Sequence, residues 1–138
     1  MGIRSLIEQI NVDAEIKAAE TYRFVEEQKI KKALAPAQWE DLQERLEGEC
    51  DKIKASSPMQ LALEKENIYE ITVTNLGNGK AITLRYDRDV PCIHVNARGK
   101  SGHLGFRVVF PGTSVEIVEG EIPRNIADIT VNLVRRIL

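Results

Sequence analysis

YEITVT (69–74), AITLRY (81–86), CIHVNA (92–97), HLGFRVVF (103–110) and SVEIV (114–118) are the segments that decide the fold of this chain. Each alternates apolar with polar residues, the period of a β-strand with one buried face. Between them stand Gly77-Asn78-Gly79, Asp87-Arg88-Asp89 before Pro91, Arg98-Gly99-Lys100-Ser101-Gly102, and Pro111-Gly112. Gly, Asn and Asp tolerate positive φ and Pro fixes its own, so each break reads as a turn.

Opposed residues of an antiparallel hairpin share a face, and a one-residue slip inverts a strand's apolar set. Folding each hairpin at its turn places Val73 against Ile82, Leu84 against Val95, Val95 against Leu104 and Val108 against Val115. All these pairs lie on one apolar face, which predicts a single antiparallel meander over residues 67–119. The opposite face then carries Glu70, Thr72, Thr83, Arg85, Cys92, His94, Asn96, His103, Arg107 and Glu116. Arg85 is expected opposite His94, Cys92 opposite Arg107, Asn96 opposite His103, and Arg107 opposite Glu116.

Helical sequence flanks the meander. Ser5 with Glu8 fits a capping box, and a periodic stripe follows through Leu6, Ile10, Ile16, Tyr22, Val25, Ile30 and Leu34. Asn11-Val12-Asp13 can interrupt it, so residues 5–34 read as one helix or two. Phe24 lies off the stripe and widens the apolar surface. Pro36 suits the first turn of a new helix, whose face is Trp39, Leu42, Leu46, Cys50 and Ile53. A helical hairpin over residues 1–57 is therefore expected. Ser57 with Gln60 predicts a short helix over 58–66, with an early extension of the first strand as the alternative. Pro123 is read as opening a C-terminal helix over 122–138, lined by Ile122, Ile126, Ile129, Leu133 and Ile137.

The expected architecture is a single α+β domain of two layers. A five-stranded antiparallel meander is covered on one face by the N-terminal helices and the C-terminal helix. The first helix, with its second apolar side, packs outside this layer or pairs with its copy in a homodimer.

Composition adds boundaries. The 138 residues carry a net charge of −2 and a pI near 5.8, which gives no electrostatic argument for nucleic acid. The start lacks the apolar run of a signal peptide, and no segment is apolar enough for a membrane span. The two cysteines, Cys50 and Cys92, have no disulfide-framework spacing. A cytoplasmic, reduced protein is expected.

The polar sheet face is where a site is expected. Arg85, His94, His103 and Arg107 form a candidate patch for a protein or a small acidic ligand. Cys92, His94 and His103 are candidate metal ligands by type, although their spacing matches no common zinc signature and the nearby arginines repel a cation. No cofactor is expected. Cys92 with His94 has the residue types of a nucleophile and its base. Gly99-Lys100-Ser101 resembles the end of a P-loop, but His94 stands where that pattern needs Gly, and a strand follows instead of a helix. The Arg98–Gly102 turn remains as a Gly-rich basic loop for an anion. With no complete catalytic constellation, the sequence points first to a binding or adaptor domain. A Cys/His- or zinc-dependent enzyme and a structural dimerisation subunit are the alternatives.

Overall fold

A computed structural model describes residues 3–58, 60–97 and 99–138. The chain runs α1 (Ile3–Ser56), β1 (Leu61–Asn67), β2 (Glu70–Asn75), β3 (Ala81–Asp87), β4 (Cys92–Ala97), β5 (Lys100–Val109), β6 (Ser114–Glu119), β7 (Ile122–Arg124) and α2 (Ile126–Arg135). The strands form one antiparallel sheet of seven in sequential order. The five expected strands are its centre, and both additions lie at its edges.

Three expected helical elements are corrected. The helical hairpin is a single helix of 54 residues that passes through Pro36. An interior Pro removes one hydrogen bond and costs about 3 kcal/mol. Around it stand Ala33, Leu34, Ala35, Ala37 and Gln38, strong helix formers with no capping residue or glycine among them. Ala35 and Trp39 are buried on either side of the proline, so core packing on both sides offsets that cost. Nor does Asn11-Val12-Asp13 interrupt the helix, and Asp13 accepts a hydrogen bond from Gln9 one turn back, at 3.0 Å.

The short helix over 58–66 is instead β1. Its sequence, LALEKEN, is rich in helix formers. Pairing with β2, from Leu61 opposite Asn75 to Asn67 opposite Glu70, overrides that propensity. The indole Nε1 of Trp39 donates to the carbonyl of Ile68 at 2.8 Å and ties the β1–β2 turn to α1.

The C-terminal helix begins at Ile126 rather than 122. Pro123 sits in the three-residue strand β7, at the sheet edge where a missing N–H is tolerated. Asn125 is the N-cap, its Oδ1 accepting from the amide of Ala127 at 2.8 Å, with Asp128 in the first turn.

Register follows expectation in three hairpins. Val73 faces Ile82, Leu84 faces Val95, Arg85 faces His94, Val108 faces Val115 and Arg107 faces Glu116. The β4–β5 hairpin differs by two residues. Ala97 pairs with Lys100, so Ile93 faces Leu104, Cys92 faces Gly105, Asn96 faces Ser101 and His94 faces His103. The turn is two residues long, with Gly99 at φ 75°. Two-residue hairpin turns with glycine at positive φ match the twist of the strands they join.

One sheet face is the core. Ile71, Ile82, Leu84, Ile93 and Ile117 are almost fully buried beneath Trp39, Leu42, Leu46 and Cys50 of α1 and Ile129, Leu133 and Val134 of α2. Both helices therefore lie on the same side. The C-terminal end of α2 is clamped by the β2–β3 turn. Buried Asn75 donates Nδ2 to the carbonyl of Ile137 at 2.8 Å and accepts from the amide of Gly77 at 3.0 Å, and Asn78 donates to the carbonyls of Ile137 and Leu138.

The first half of α1 leaves this body. Every described side chain from Ser5 to Val25 is exposed, and burial begins only beyond it. Replacing Leu84 by Ala should cost about 2–5 kcal/mol of unfolding free energy. Asn75→Ala should cost about 1–3 kcal/mol by stranding buried hydrogen-bonding groups. Denaturant unfolding measures both, and a loss below about 0.5 kcal/mol for Asn75→Ala would show the clamp to be idle.

Candidate functional site

The polar sheet face is open, with Arg85, Asn96, His103 and Arg107 exposed. It carries both signs of charge in register. Glu70 stands opposite Arg85. Arg107 donates to Glu116 at 2.7 Å and to the carbonyl of Glu121 at 3.3 Å. Of the four expected patch residues, Arg85, His94 and His103 therefore gather at the centre, while Arg107 is committed to its own pair. The basic loop is reduced as well. Lys100, Ser101 and Gly102 belong to β5, and Arg98 lies outside the described residues.

The tightest chemical cluster on this face is Asp87, Cys92 and His94, with ligating atoms that all lie within 4.8 Å of one another. Asp87 closes β3 and turns the chain. Its Oδ1 accepts from the amides of Asp89 at 3.0 Å and Val90 at 3.2 Å. Those two bonds, helped by His94, hold its carboxyl below the usual range. Its Oδ2 faces Nε2 of His94 at 3.5 Å. Cys92 Sγ approaches the same Nε2 at 3.4 Å. His103 is not part of this group; Asp87 takes the place expected for it.

This geometry does not assemble the relay that the nucleophile–base reading calls for. A Cys–His–Asp relay needs the thiol on one ring nitrogen and the orienting carboxylate on the other. Here both meet Nε2, which cannot accept the thiol proton while donating to the carboxylate. Burial and the charge of Asp87 push the Cys92 thiol up, opposed by Arg85, so the thiolate that a nucleophile requires is disfavoured. The thiol of Cys50 is raised too, chiefly by burial in the core.

A second feature was not foreseen from sequence. A cleft of about 620 Å³ opens between α1 and the β1–β2 hairpin, lined by Trp39, Tyr69 and Tyr86 with Lys32, Glu40, Lys65 and Arg88 as its charged residues. Trp39 stacks on Tyr86, with ring centroids 5.9 Å apart, and Tyr86 on Tyr69 at 6.3 Å. Arg88 lies 4.4 Å above the Tyr69 ring and donates to its hydroxyl at 3.1 Å. Trp39 was legible as a core residue; its role as a cleft wall depends on β1, which the sequence disguised as a helix.

Comparisons with protein-family models, with curated proteins and with solved structures find no match to this chain. Among the described residues, no helix is long and apolar enough to cross a membrane.

The thiol environment has a direct test in chelator-treated protein. Alkylation of Cys92 should reach its half-maximal rate at a pH above that of a free cysteine peptide. Asp87→Asn should move the profile to lower pH by removing a negative neighbour, and Arg85→Ala to higher pH. A profile centred below neutrality would restore the activated-thiol reading.

Proposed function

We propose that the chain is a non-catalytic assembly module: a folded head, formed by the sheet and its two covering helices, carrying a helical arm that pairs with the arm of a second copy. The observation that carries this reading is the exposure of Leu6, Ile7, Ile10, Ile16, Tyr22, Phe24 and Val25, each between 43% and 69%, along residues 5–25 of α1. Helices in water are stabilised mainly by packing an apolar face, and among the described residues the stretch from Ser5 to Val25 has no such packing. Its local support is modest. Pairs such as Arg23–Glu27, at 3.3 Å, contribute about 0.3–0.5 kcal/mol each.

The pattern favours an antiparallel arrangement. Ile7, Ile10, Ala14, Ala18, Thr21 and Val25 follow at steps of three and four, so they form one row along the helix. The row is large at its ends and small in its middle. Reversed on itself about residue 16, it sets Ile7 against Val25 and Ala14 against Ala18. On one flank of the row Leu6 meets Phe24 and Asp13 meets Lys17. A two-fold axis repeats every contact, and each well-buried aliphatic or aromatic side chain contributes about 1.5–3 kcal/mol. A parallel pair would bring two heads to the same end, because α1 continues into the head.

Light scattering after gel filtration should give twice the 15.5 kDa chain mass. Ile10→Glu with Val25→Glu should return the full-length chain to 15.5 kDa without changing the circular dichroism of the sheet. In a Cys50→Ser, Cys92→Ser background, a mixture of Ile7→Cys and Val25→Cys chains should oxidise to a covalent dimer, whereas Ile7→Cys alone should not. A wild-type monomer at micromolar concentration would end the proposal, and cross-linking of Ile7→Cys alone would reverse the orientation.

The aromatic cleft supports a second reading, the binding of a small acidic ligand with a flat apolar part. Its volume falls within the range of about 300–1,000 Å³ usual for such sites, and Lys32 and Arg88 supply positive charge in its lining beside one carboxylate, Glu40, while Lys65 is paired with Glu47 at 3.4 Å. Trp39 is the sole tryptophan, so its fluorescence reports directly on occupancy. Aromatic carboxylates should quench it saturably, and Arg88→Ala should weaken that response severalfold. Quenching that is linear in concentration and insensitive to Arg88→Ala would dismiss the cleft.

A further inference from the structure

The geometry points to a zinc site at Asp87, Cys92 and His94, which we propose is occupied when the protein is purified without chelator. The starting point is the convergence of two donors on a single ring nitrogen. Sγ of Cys92 and Oδ2 of Asp87 both approach Nε2 of His94, at 3.4 and 3.5 Å. A chain of hydrogen bonds would use separate ring nitrogens. Three donors sharing one centre would all converge. Zinc bonds of about 2.0–2.3 Å in a tetrahedron set neighbouring ligand atoms about 3.3–3.6 Å apart, so these two separations fit two edges of such a polyhedron, and the third pair, Cys92 Sγ and Asp87 Oδ2, lies within 4.8 Å.

The backbone holds the donors in place independently. Cys92 and His94 alternate on one strand, so both project from the same face. Asp87 pairs with Cys92 across the β3–β4 hairpin. The turn fixes its carboxylate, because Oδ1 is held by the amides of Asp89 and Val90 while Oδ2 stays directed at His94. Ligating carboxylates are commonly steadied through their second oxygen in this way. Opposite Cys92 stands Gly105, which places no side chain over the sulfur.

Donor chemistry selects the metal. One thiolate, one imidazole and one carboxylate suit a borderline divalent ion, and zinc accepts all three. On binding, the zinc–sulfur bond replaces the S–H bond of Cys92 and the proton leaves to solvent. The thiolate and the Asp87 carboxylate together match the charge of the ion. Arg85, opposite His94, disfavours a cation, but it faces Glu70 on its other side. The fourth position opens to the exposed sheet face, where water completes the tetrahedron.

The full-length protein, purified without chelator, should carry one zinc per chain by elemental mass spectrometry. Chelator-treated protein should rebind zinc with equal stoichiometry by calorimetry and release protons as it does. Asp87→Asn, Cys92→Ser and His94→Gln should each weaken binding at least tenfold, with thermal melts confirming folding. His103→Gln and Cys50→Ser should leave it unchanged. Cobalt added to the unsubstituted protein should give a thiolate-to-metal charge-transfer band, a readout that no folding defect can imitate. Absence of zinc uptake at micromolar metal, a cobalt complex without that band, or binding that survives both Cys92→Ser and His94→Gln would each overturn the proposal.

Discussion

Burial of one face of the sheet is the constraint on which the rest of the molecule depends. A meander of seven strands exposes an apolar face too wide for the ten residues of α2. The second half of α1 supplies the missing cover, laying Trp39, Leu42, Leu46 and Cys50 across the strands. This requirement explains why the helix tolerates Pro36 and why a helix-prone segment is recruited as β1. It also explains why the indole of Trp39 reaches the β1–β2 turn. Each local rule that fails does so where the sheet needs closing.

The alternation of the five central strands was legible because side-chain parity has only two states, and four hairpins had to agree on one. Parity also marks the limit of that reading. A shift of two residues between β4 and β5 keeps every apolar residue on the core side, so Val95 against Leu104 and the actual Ile93 against Leu104 fit the pattern equally well. Turn length decides between them, and a loop rich in Gly, Lys and Ser permits both. Pro36 was misread for a different reason. Proline favours a helix start, but the Ala33–Ala35 run before it holds no capping side chain, and that absence was the available signal. At the other end, Pro123 drew attention from Asn125, which had the better capping chemistry.

The polar face was legible as a surface, and its tightest group of donor atoms less so. Cys92 and His94 were read as neighbours from their spacing along one strand, and that spacing is what brings sulfur and imidazole together. In the sequence Asp87 reads as a turn residue. It is one, and it also shares the face of Arg85 by simple alternation, so its second oxygen was within reach of the same argument. His103 was expected in the group because of its residue type. It lies across from His94, and among the described residues the close group of donor atoms is Asp87, Cys92 and His94, which follows the β3–β4 turn rather than the β4–β5 pair.

The unbroken course of α1 makes the helix both a ruler and an angular index. Each residue advances the chain by about 1.5 Å and turns it by about 100°. The distance from the head to any point on the arm, and the direction in which that point faces, are thus set together by residue count. Seven residues added between Val25 and Ala35 would lengthen the arm by about 10 Å and turn its apolar row by only about 20°. Two added residues would lengthen it by about 3 Å and swing the row to nearly the opposite side. A flexible linker would tolerate either change. A continuous helix couples the two, so any change of length in this part of α1 is also a change in the direction its apolar row faces.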